Sequence, residues 1–165
     1  MHYKLQCWEN NVILRAVSED IVAIDKEILE MAKNMKKLTR KRDGVWLSAP
    51  QIGLNKRLIY VSQWFKNYLW ELEFKSDQIM INPVILDHSK TKSYDIEWCL
   101  SLPDLTGRVK RYDEVKVKFT DIQNQTHTQV YKWFDARVVQ HEIDHLDGVL
   151  FIDIADEIYE DSKKL

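Results

Sequence analysis

The 165 residues are enough for one domain with its own hydrophobic core, and we expect a single domain over residues 1–165. A formal net charge of −2 gives no global sign of nucleic-acid binding and argues against a DNA partner. No apolar run approaches the roughly 18 residues that span a membrane, and the N-terminus lacks the apolar core of a signal peptide. We therefore expect a cytoplasmic protein without a membrane partner, although a cleaved organelle address would leave no trace here.

The first predicted element is a helix that covers most of Ser18–Arg42, with Asp25 able to cap it. Apolar residues recur at helical spacing and form one stripe, which predicts a core-facing side. The stripe consists of Ile28, Ala32, Met35 and Leu38, joined by Leu29 and Met31. Basic residues then cluster at the end of this helix, a pattern typical of a solvated face. They are Lys36, Lys37, Arg40, Lys41 and Arg42.

Glycine and proline interrupt the next stretch, Gly44–Gly53, which we predict to be loop and turn. Strands are predicted at Arg57–Val61 and Ile79–Leu86, and Pro83 places a bulge or an unpaired edge in the second. The aromatic stretch Trp64–Trp70 lies between these strands, and we interpret it as a hairpin or a lid.

Two alternating segments follow: Glu114–Asp121, with Val115, Val117 and Phe119 on one face, and Thr126–Lys132. We interpret them as antiparallel strands joined by a turn at Ile122–Gln125. The fold class predicted from these elements is α+β, with antiparallel strands around a central helix.

That central helix is predicted to run to Leu146, with Asp135 able to cap its start and Gly148 its end. Beyond Asp153 we expect only a short acidic tail.

The central helix carries an H-E-x-x-H motif, His141-Glu142-Ile143-Asp144-His145. On a helix, residues four apart lie on the same face, so His141 and His145 can hold one metal ion. Glu142 is rotated off that face and is placed to contact a metal-bound water. A chance pair on a solvated face is the alternative, but the flanking residues are apolar, and a buried His pair needs partners.

A third protein ligand is needed, and the downstream options are poor. An extended motif would need His at position 151, where this chain has Phe151, and Glu157 and Glu160 lie in the predicted tail. The upstream candidates are His2, Cys7, His88, Cys99 and His127. Cys99 stands out because of its setting, Glu97-Trp98-Cys99-Leu100-Ser101.

Three motifs together resemble the peptide deformylase family. That family carries G-x-G-x-A-A-P-Q-x-G, then E-G-C-L-S, then Q-H-E-x-D-H-L. The corresponding stretches here are Gly44–Gly53, Glu97–Ser101 and Gln140–Leu146, in the same order and at similar spacing. The resemblance extends from about Ile13 to Ile154.

The resemblance implies a deformylase-like α+β fold and a metal-dependent hydrolase that acts on newly made polypeptides. Such an enzyme removes the N-formyl group from N-terminal formyl-methionine. It implies Cys99, His141 and His145 as ligands of one divalent metal ion, Fe²⁺ in the cell, with Zn²⁺ or Ni²⁺ as possible substitutes. It also implies formyl-methionyl nascent peptides as partners and raises the ribosome as another.

The remaining site residues also follow from the resemblance. Glu142 is expected to move protons, while the Gln51 side chain and the Leu100 backbone N–H stabilise the oxyanion. The residues expected to line the substrate groove are Gly44, Val45, Trp46, Trp98, Val138 and His141. Glu97 and Asp144 are expected to orient ligands or to pair with Arg108, Arg111 or Arg137.

The chain departs from the family pattern at three positions. Trp46 and Trp98 stand where the family has glycine, and Thr106 stands where many members have arginine. Two indoles beside the metal predict either a rebuilt substrate wall or mutual packing. Two other functions therefore stay open: a binding module of deformylase fold with little or no turnover, and an amidase acting on another small N-acyl group.

Overall fold

Two antiparallel sheets and three helices make up the part of the chain that the computed structural model describes, residues 3–41, 45–66 and 72–160. The helices are α1 (Lys26–Lys41), α2 (Trp133–Leu146) and α3 (Phe151–Ile154). The strands are β1 (Trp46–Ser48), β2 (Leu58–Lys66), β3 (Leu72–His88), β4 (Lys92–Cys99), β5 (Leu102–Tyr112), β6 (Glu114–Thr120), β7 (Thr126–Lys132) and β8 (Ala155–Glu160). The predicted α+β class is confirmed.

The larger sheet has the strand order β1-β2-β3-β6-β7, and the smaller sheet has the order β4-β5-β8. Helix α2 contacts β1 and β2 of the larger sheet as well as β5 of the smaller one. Its apolar residues Val139 and Ile143 join the core formed with Ile59, Met80 and Val117. The helix that carries the H-E-x-x-H motif is therefore held by both sheets. Within the described residues, the helices lack the length and apolarity needed to cross a membrane.

Helix α1 buries the predicted apolar stripe against the larger sheet. Ile28, Met31 and Met35 pack with Leu58 and Tyr60, which confirms core packing for those methionines. The Ile28 N–H donates to Asp25 Oδ1 at 2.9 Å, so the predicted cap is also confirmed.

Helix α1 covers Lys26–Lys41, so the first part of the segment Ser18–Arg42, predicted to be mostly helical, lies outside it. The backbone before Asp25 bonds to distant segments instead of to its own next turn. Ser18 N donates to Leu146 O at 2.8 Å, and Ile21 N donates to Asn82 Oδ1 at 2.9 Å. These long-range hydrogen bonds hold the segment in a non-helical path past the end of α2 and the interior of β3.

The predicted bulge at Pro83 is confirmed, because the pairing of β3 with β6 shifts register between Ile81 and Val84. The hairpin of β6 and β7 is confirmed as well, with Glu114 opposite Lys132. Strands β2 and β3 pair antiparallel on either side of the aromatic stretch. The tip of that stretch, residues 67–71, lies outside the described residues.

The smaller sheet was not predicted from the sequence. The segment expected to be an acidic tail forms β8 and pairs with β5, for example Ile158 with Gly107. Most β8 side chains are exposed, so the sequence of this strand lacks the apolar alternation that predicts a strand. Its hydrogen bonds come from a partner about fifty residues earlier in the chain.

Part of the basic cluster on α1 is engaged within the protein. Lys36 and Arg40 both pair with Asp77, the latter at 2.7 Å. Lys37 and Lys41 remain exposed. The expectation of a solvated basic face therefore holds for only part of the cluster.

The cap at the end of α2 was predicted correctly, but the cap at its start was not. The helix begins at Trp133, so Asp135 lies in its first turn and is not its cap. At the other end, Gly148 follows the last turn with φ of +73°, as a left-handed helix terminator requires.

Replacing Gly148 with alanine should lower the free energy of unfolding by about 2–3 kcal/mol, since a left-handed backbone and a steric clash act together. A Cβ at Gly148 would lie 2.5 Å from the backbone oxygen of Arg15. Gly53→Ala is the matched control, with φ of +92° but only the flexible Gln6 side chain in contact, at 3.2 Å. Urea denaturation of the metal-free proteins should rank Gly148→Ala as clearly the more damaging change; equal losses would contradict this account.

Candidate metal centre

Three potential metal ligands converge from β4 and α2. Cys99 ends β4, while His141 and His145 lie one turn apart on α2, and all three are buried. Their ligand atoms lie within 4.8 Å of one another, and the Cys99 Sγ is 3.2 Å from the His145 Nε2. Bonds of about 2.0–2.3 Å to one tetrahedral ion bring ligand atoms to roughly 3.3–3.8 Å. The cluster is therefore close to the geometry that such an ion requires.

Unpartnered polar atoms also concentrate at this place. Among the described residues, seven buried side-chain atoms lack a hydrogen-bond partner, and four belong to His141, Glu142 and His145. They are His141 Nε2, both carboxylate oxygens of Glu142 and His145 Nδ1. Buried polar groups are normally paired, so such a concentration indicates a place for an ion and its water. The residues present fit a bound metal.

Burial sets the protonation of the potential ligands. It lowers the pKa of His145 well below the usual range, so the imidazole is neutral and keeps a lone pair for a cation. Burial, reinforced by the charge of Glu142, raises the pKa of the Cys99 thiol to about 12. The thiol therefore stays protonated until a cation beside it displaces the proton, which links metal binding to proton release.

The carboxylate of Glu97 fixes the orientation of His141. Glu97 is buried next to His141 on the inner face of β4 and lies 2.9 Å from the His141 Nδ1. Burial opposes its ionisation, but hydrogen bonds from His141 and Arg111 hold the pKa of Glu97 well below its usual range. An ionised Glu97 makes Nδ1 the donor, which leaves the His141 Nε2 lone pair directed to the metal position.

Two arginines surround Glu97 and settle the pairings left open by the sequence. Arg111 donates to Glu97 through Nε at 2.9 Å and Nη2 at 3.0 Å, and its Nη1 contacts Asp144. Arg137 donates to Glu97 Oε1 at 2.8 Å. Arg108 lies elsewhere and pairs with Glu157, 3.3 Å away.

Gln51 lies against the sulfur of Cys99. Its Nε2 donates to the Cys99 Sγ at 3.3 Å and to the Ser101 Oγ at 3.2 Å. Its Oε1 accepts hydrogen bonds from the Ser48 N–H at 2.9 Å and the Ser48 hydroxyl at 3.1 Å. The amide is therefore fixed in orientation, with its donating end toward the metal cluster.

The N-terminal segment supports the two loops that carry these groups. Gln6 N donates to Gln51 O at 2.8 Å, and Trp8 N donates to Ser101 O at 2.9 Å. The segment thus ties the turn after β1 to the turn between β4 and β5.

A small pocket of about 40 Å³ opens beside His141. It is lined by Trp46, Trp98, Val138 and His141, four of the residues expected in the substrate groove. The rings of Trp46 and Trp98 lie 5.3 Å apart, with Trp46 in edge contact with Phe134 at 5.7 Å. The two tryptophans both pack against each other and form a wall of the pocket.

The other expected residues are less informative. Val45 is half-buried, and its carbonyl oxygen accepts from Ser62 N at 2.6 Å. Leu100 lies in the turn after Cys99 and is half-buried. Gly44 and His2 lie outside the described residues.

The remaining candidate ligands do not join the cluster. His127 pairs with Asp121 at 2.6 Å, and His88 stacks on Tyr112 with ring centroids 3.6 Å apart. Glu157 is exposed on β8, and so is Glu160.

Phe134 and Ile96 line the pocket but were not predicted to do so, and Arg137 was expected only as an ion-pair candidate. The signal was present for two of them, because Phe134 and Arg137 precede His141 by seven and four residues on one helix face. Ile96 shares a strand face with Trp98 by the period of two.

An H-E-x-x-H helix held between two antiparallel sheets, with a buried cysteine completing the ligand set, defines a metal-dependent hydrolase. A family profile described as polypeptide deformylase matches residues 3–160. Because the match spans nearly the whole sequence, the chain belongs to the polypeptide deformylase family. Members of this family use a divalent metal and remove the formyl group from nascent peptides.

Relatives in several bacteria support the assignment. The chain is 35% identical over 153 residues to a peptide deformylase of Natranaerobius thermophilus, covering 92% of this chain and 91% of that protein. It is 37% identical over 141 residues to peptide deformylase 2 of Gloeobacter violaceus, covering 86% of this chain and 73% of that protein.

Similarity to solved structures supports the same family assignment. The chain resembles a class I type b peptide deformylase from Acinetobacter baumannii with Met-Ala-Ser bound, with a TM-score of 0.84 and 32% identity. That match covers 93% of this chain and 98% of the other.

Replacing Cys99 with serine should weaken metal binding by more than about 100-fold, since changes to residues that only orient a ligand already cost about 10–100-fold. The reason is that a neutral hydroxyl is a poorer ligand than a thiolate. Cys7→Ser is the matched control, because Cys7 is half-buried and outside the cluster. Anaerobic chelator competition with Zn²⁺ and with Fe²⁺ measures the effect; weakening by Cys7→Ser in place of Cys99→Ser would contradict the ligand set.

Proposed function

We propose that this chain performs the family reaction at the cluster of Cys99, His141 and His145. The reaction is hydrolysis of the N-formyl group from N-terminal formyl-methionine of newly made polypeptides. The observation that carries the proposal is the buried Cys/His/His cluster with Glu142 beside it, fully buried and with both oxygens unpartnered. A structural metal site would use four protein ligands, whereas three leave one position open for water and substrate.

A divalent cation held by Cys99, His141 and His145 would supply Lewis acidity, which polarises a carbonyl group and lowers the pKa of a water molecule. Glu142 takes a proton from the attacking water at a carboxylate oxygen and gives it to the amine that leaves. Water and the formyl amide thus become formate and a free N-terminus. Both carboxylate oxygens of Glu142 are buried without a hydrogen-bond partner among the described residues, which supports this role.

Gln51 and Leu100 serve as donors to the oxygen that gains charge during attack. The fixed amide of Gln51, 3.3 Å from the Cys99 Sγ, supports the first assignment. The position of Leu100 directly after Cys99 supports the second. Donors of this kind are commonly worth about 3–4 kcal/mol in the transition state.

The ligand set also limits which metal ions are suitable. Two nitrogens and one thiolate suit Fe²⁺, Zn²⁺ and Ni²⁺. We propose Fe²⁺ as the ion used in the cell and Zn²⁺ or Ni²⁺ as possible substitutes. A thiolate ligand is oxidised readily, which supports a reducing compartment such as the cytoplasm.

The ribosome is the proposed macromolecular partner, as the source of formyl-methionyl nascent chains. The exposed Lys37 and Lys41 of α1 supply positive charge for contact with ribosomal RNA. Since Lys36 and Arg40 already pair with Asp77, this patch is smaller than the sequence suggests.

Replacing Glu142 with glutamine should lower kcat for formyl-Met-Ala-Ser by about 10²–10⁴-fold, the usual contribution of proton transfer. Metal content should stay at one ion per chain, because Glu142 is not in the ligand set. The assay measures amine release from the formyl peptide and from its acetyl analogue, with metal content determined on the same anaerobic sample. Faster turnover of the acetyl peptide would favour an amidase for another N-acyl group, and a metal-loaded wild type without turnover would favour the binding module.

Replacing Trp46 or Trp98 with glycine should broaden the range of first residues that the pocket accepts. We propose that the two indoles narrow the pocket, so bulky side chains after the formyl group are penalised more than the formyl group itself. Relative kcat/KM for formyl-Phe against formyl-Met peptides measures the change. Trp8→Gly is the control, because Trp8 is exposed outside the pocket with φ of +79°, which glycine adopts without strain.

The stability of both variants must be measured as well. Large-to-small changes at fully buried sites cost about 3–5 kcal/mol, and these partly exposed indoles should cost less. If the variants lose stability while the substrate ranking stays fixed, the indoles are packing partners only.

A further inference from the structure

Ser48 is the last residue of β1 and directly precedes the short turn that carries Gln51. Its side chain is fully buried. In addition to Trp46, Trp98 and Thr106, Ser48 differs from the family motif, which has alanine at this position. Serine brings a hydroxyl group that alanine lacks, so a role for this hydroxyl would belong to this chain and not to the motif.

The side-chain amide of Gln51 uses all of its hydrogen-bonding positions. Its Oε1 accepts from the Ser48 N–H at 2.9 Å and from the Ser48 hydroxyl at 3.1 Å. Its Nε2 donates to the Cys99 Sγ at 3.3 Å and to the Ser101 Oγ at 3.2 Å. A glutamine amide has two donor hydrogens and two acceptor sites, so both N–H groups of Gln51 are already in use.

Gln51 can therefore donate to a reacting oxygen only after one of its two N–H contacts breaks. The nitrogen end of the amide is then held less firmly, and the orientation of the amide depends on the bonds to its oxygen. Ser48 supplies both of those bonds. Its N–H is fixed in place because β1 pairs with β2 through Ser48 and Ile59, and its hydroxyl provides the second anchor.

The Ser48 hydroxyl also lies beside Glu142. Burial raises the pKa of the Glu142 carboxyl well above its usual range, and the neighbouring Ser48 hydroxyl opposes that shift. A hydroxyl has one proton, so it cannot donate to Gln51 and to Glu142 at the same time. The 3.1 Å contact assigns the proton to Gln51, since the carboxylate oxygens of Glu142 have no hydrogen-bond partner among the described residues.

We propose that Ser48 is a positioning residue whose hydroxyl holds the Gln51 amide by its oxygen during the reaction. The nitrogen of that amide is then free to exchange Cys99 or Ser101 for the reacting oxygen without loss of orientation. The inference rests on the proposed function, in which Gln51 donates to that oxygen. Ser48 transfers no proton and contacts no reacting atom, so it acts only through Gln51.

The variant Ser48→Ala removes the hydroxyl and keeps the backbone N–H. We expect kcat for formyl-Met-Ala-Ser to fall by about three- to tenfold, as for the loss of one neutral hydrogen bond that acts in the transition state. KM should stay within about twofold, because the anchor is needed after the substrate is bound. An unchanged kcat, or a change in KM alone, would overturn the proposal.

The variant Gln51→Ala shows whether Ser48 acts through Gln51. In that background, Ser48→Ala should change kcat by less than about twofold, because the amide that the hydroxyl anchors is gone. An equal fall of kcat in both backgrounds would overturn the proposal and would assign the hydroxyl to Glu142.

Ser18→Ala is the matched control. Ser18 is a buried serine as well, 5% exposed, but its hydroxyl has no hydrogen-bond partner among the described residues and it lies outside the metal cluster. Both kcat and KM of this variant should match those of the wild type. A fall of kcat equal to that in Ser48→Ala would overturn the proposal, because the loss of any buried hydroxyl would then have the same effect.

Nuclear magnetic resonance of the Gln51 side chain separates this inference from the proposed function. The two amide N–H signals are those missing from Gln51→Ala, and they are followed with and without Zn²⁺. We expect their exchange with water to be faster in Ser48→Ala than in the wild type or in Ser18→Ala, because the amide opens more readily. If no formyl peptide is hydrolysed, the proposed function fails, yet faster exchange in Ser48→Ala would still support the anchor. Unchanged exchange would overturn it.

Discussion

The buried carboxylate of Glu97 is the constraint on which the metal centre depends. It lies two residues before Cys99 on β4 and accepts hydrogen bonds from Arg111 on β5 and from Arg137 and His141 on α2. Removing one partner of such a buried pair commonly costs about 3–5 kcal/mol, because the other charge is left uncompensated. Glu97 therefore positions β4 against α2 and orients His141, and through both effects it brings a strand sulfur to two helix nitrogens.

The two ligands on α2 could be predicted from their spacing in the sequence. The contacts that residues of other elements make with them could not. The spacing of His141 and His145 specifies one helix face by geometry alone. Cys99 approaches His145, which lies 46 residues later in the sequence, because α2 packs against the smaller sheet. This contact could be predicted only from the resemblance to the family. The partners of Glu97 were undecided for the same reason, since Arg108 and Arg111 alternate on one strand and only the fold shows which faces inward.

The elements that could be predicted are those in which burial of one face gives the sequence a regular apolar period. The stripe of α1 and the alternation of β6 were predicted correctly because one face of each element is buried. Strands β4 and β8 expose most of their side chains, so they have no such pattern. The segment before α1 was misassigned because its backbone bonds to Leu146 and Asn82, which no local signal reveals.

The contact of Trp46 with Trp98 joins the edges of the two sheets beside the metal ligands. Indoles 5.3 Å apart are close enough for their excited states to couple, which produces a paired signal in far-ultraviolet circular dichroism, where indole absorbs most strongly. A peptide that separates or reorients the rings changes that signal, and a paramagnetic ion nearby quenches their fluorescence. The two tryptophans thus give this chain an intrinsic optical reporter of occupancy, which can be measured without a label and without turnover.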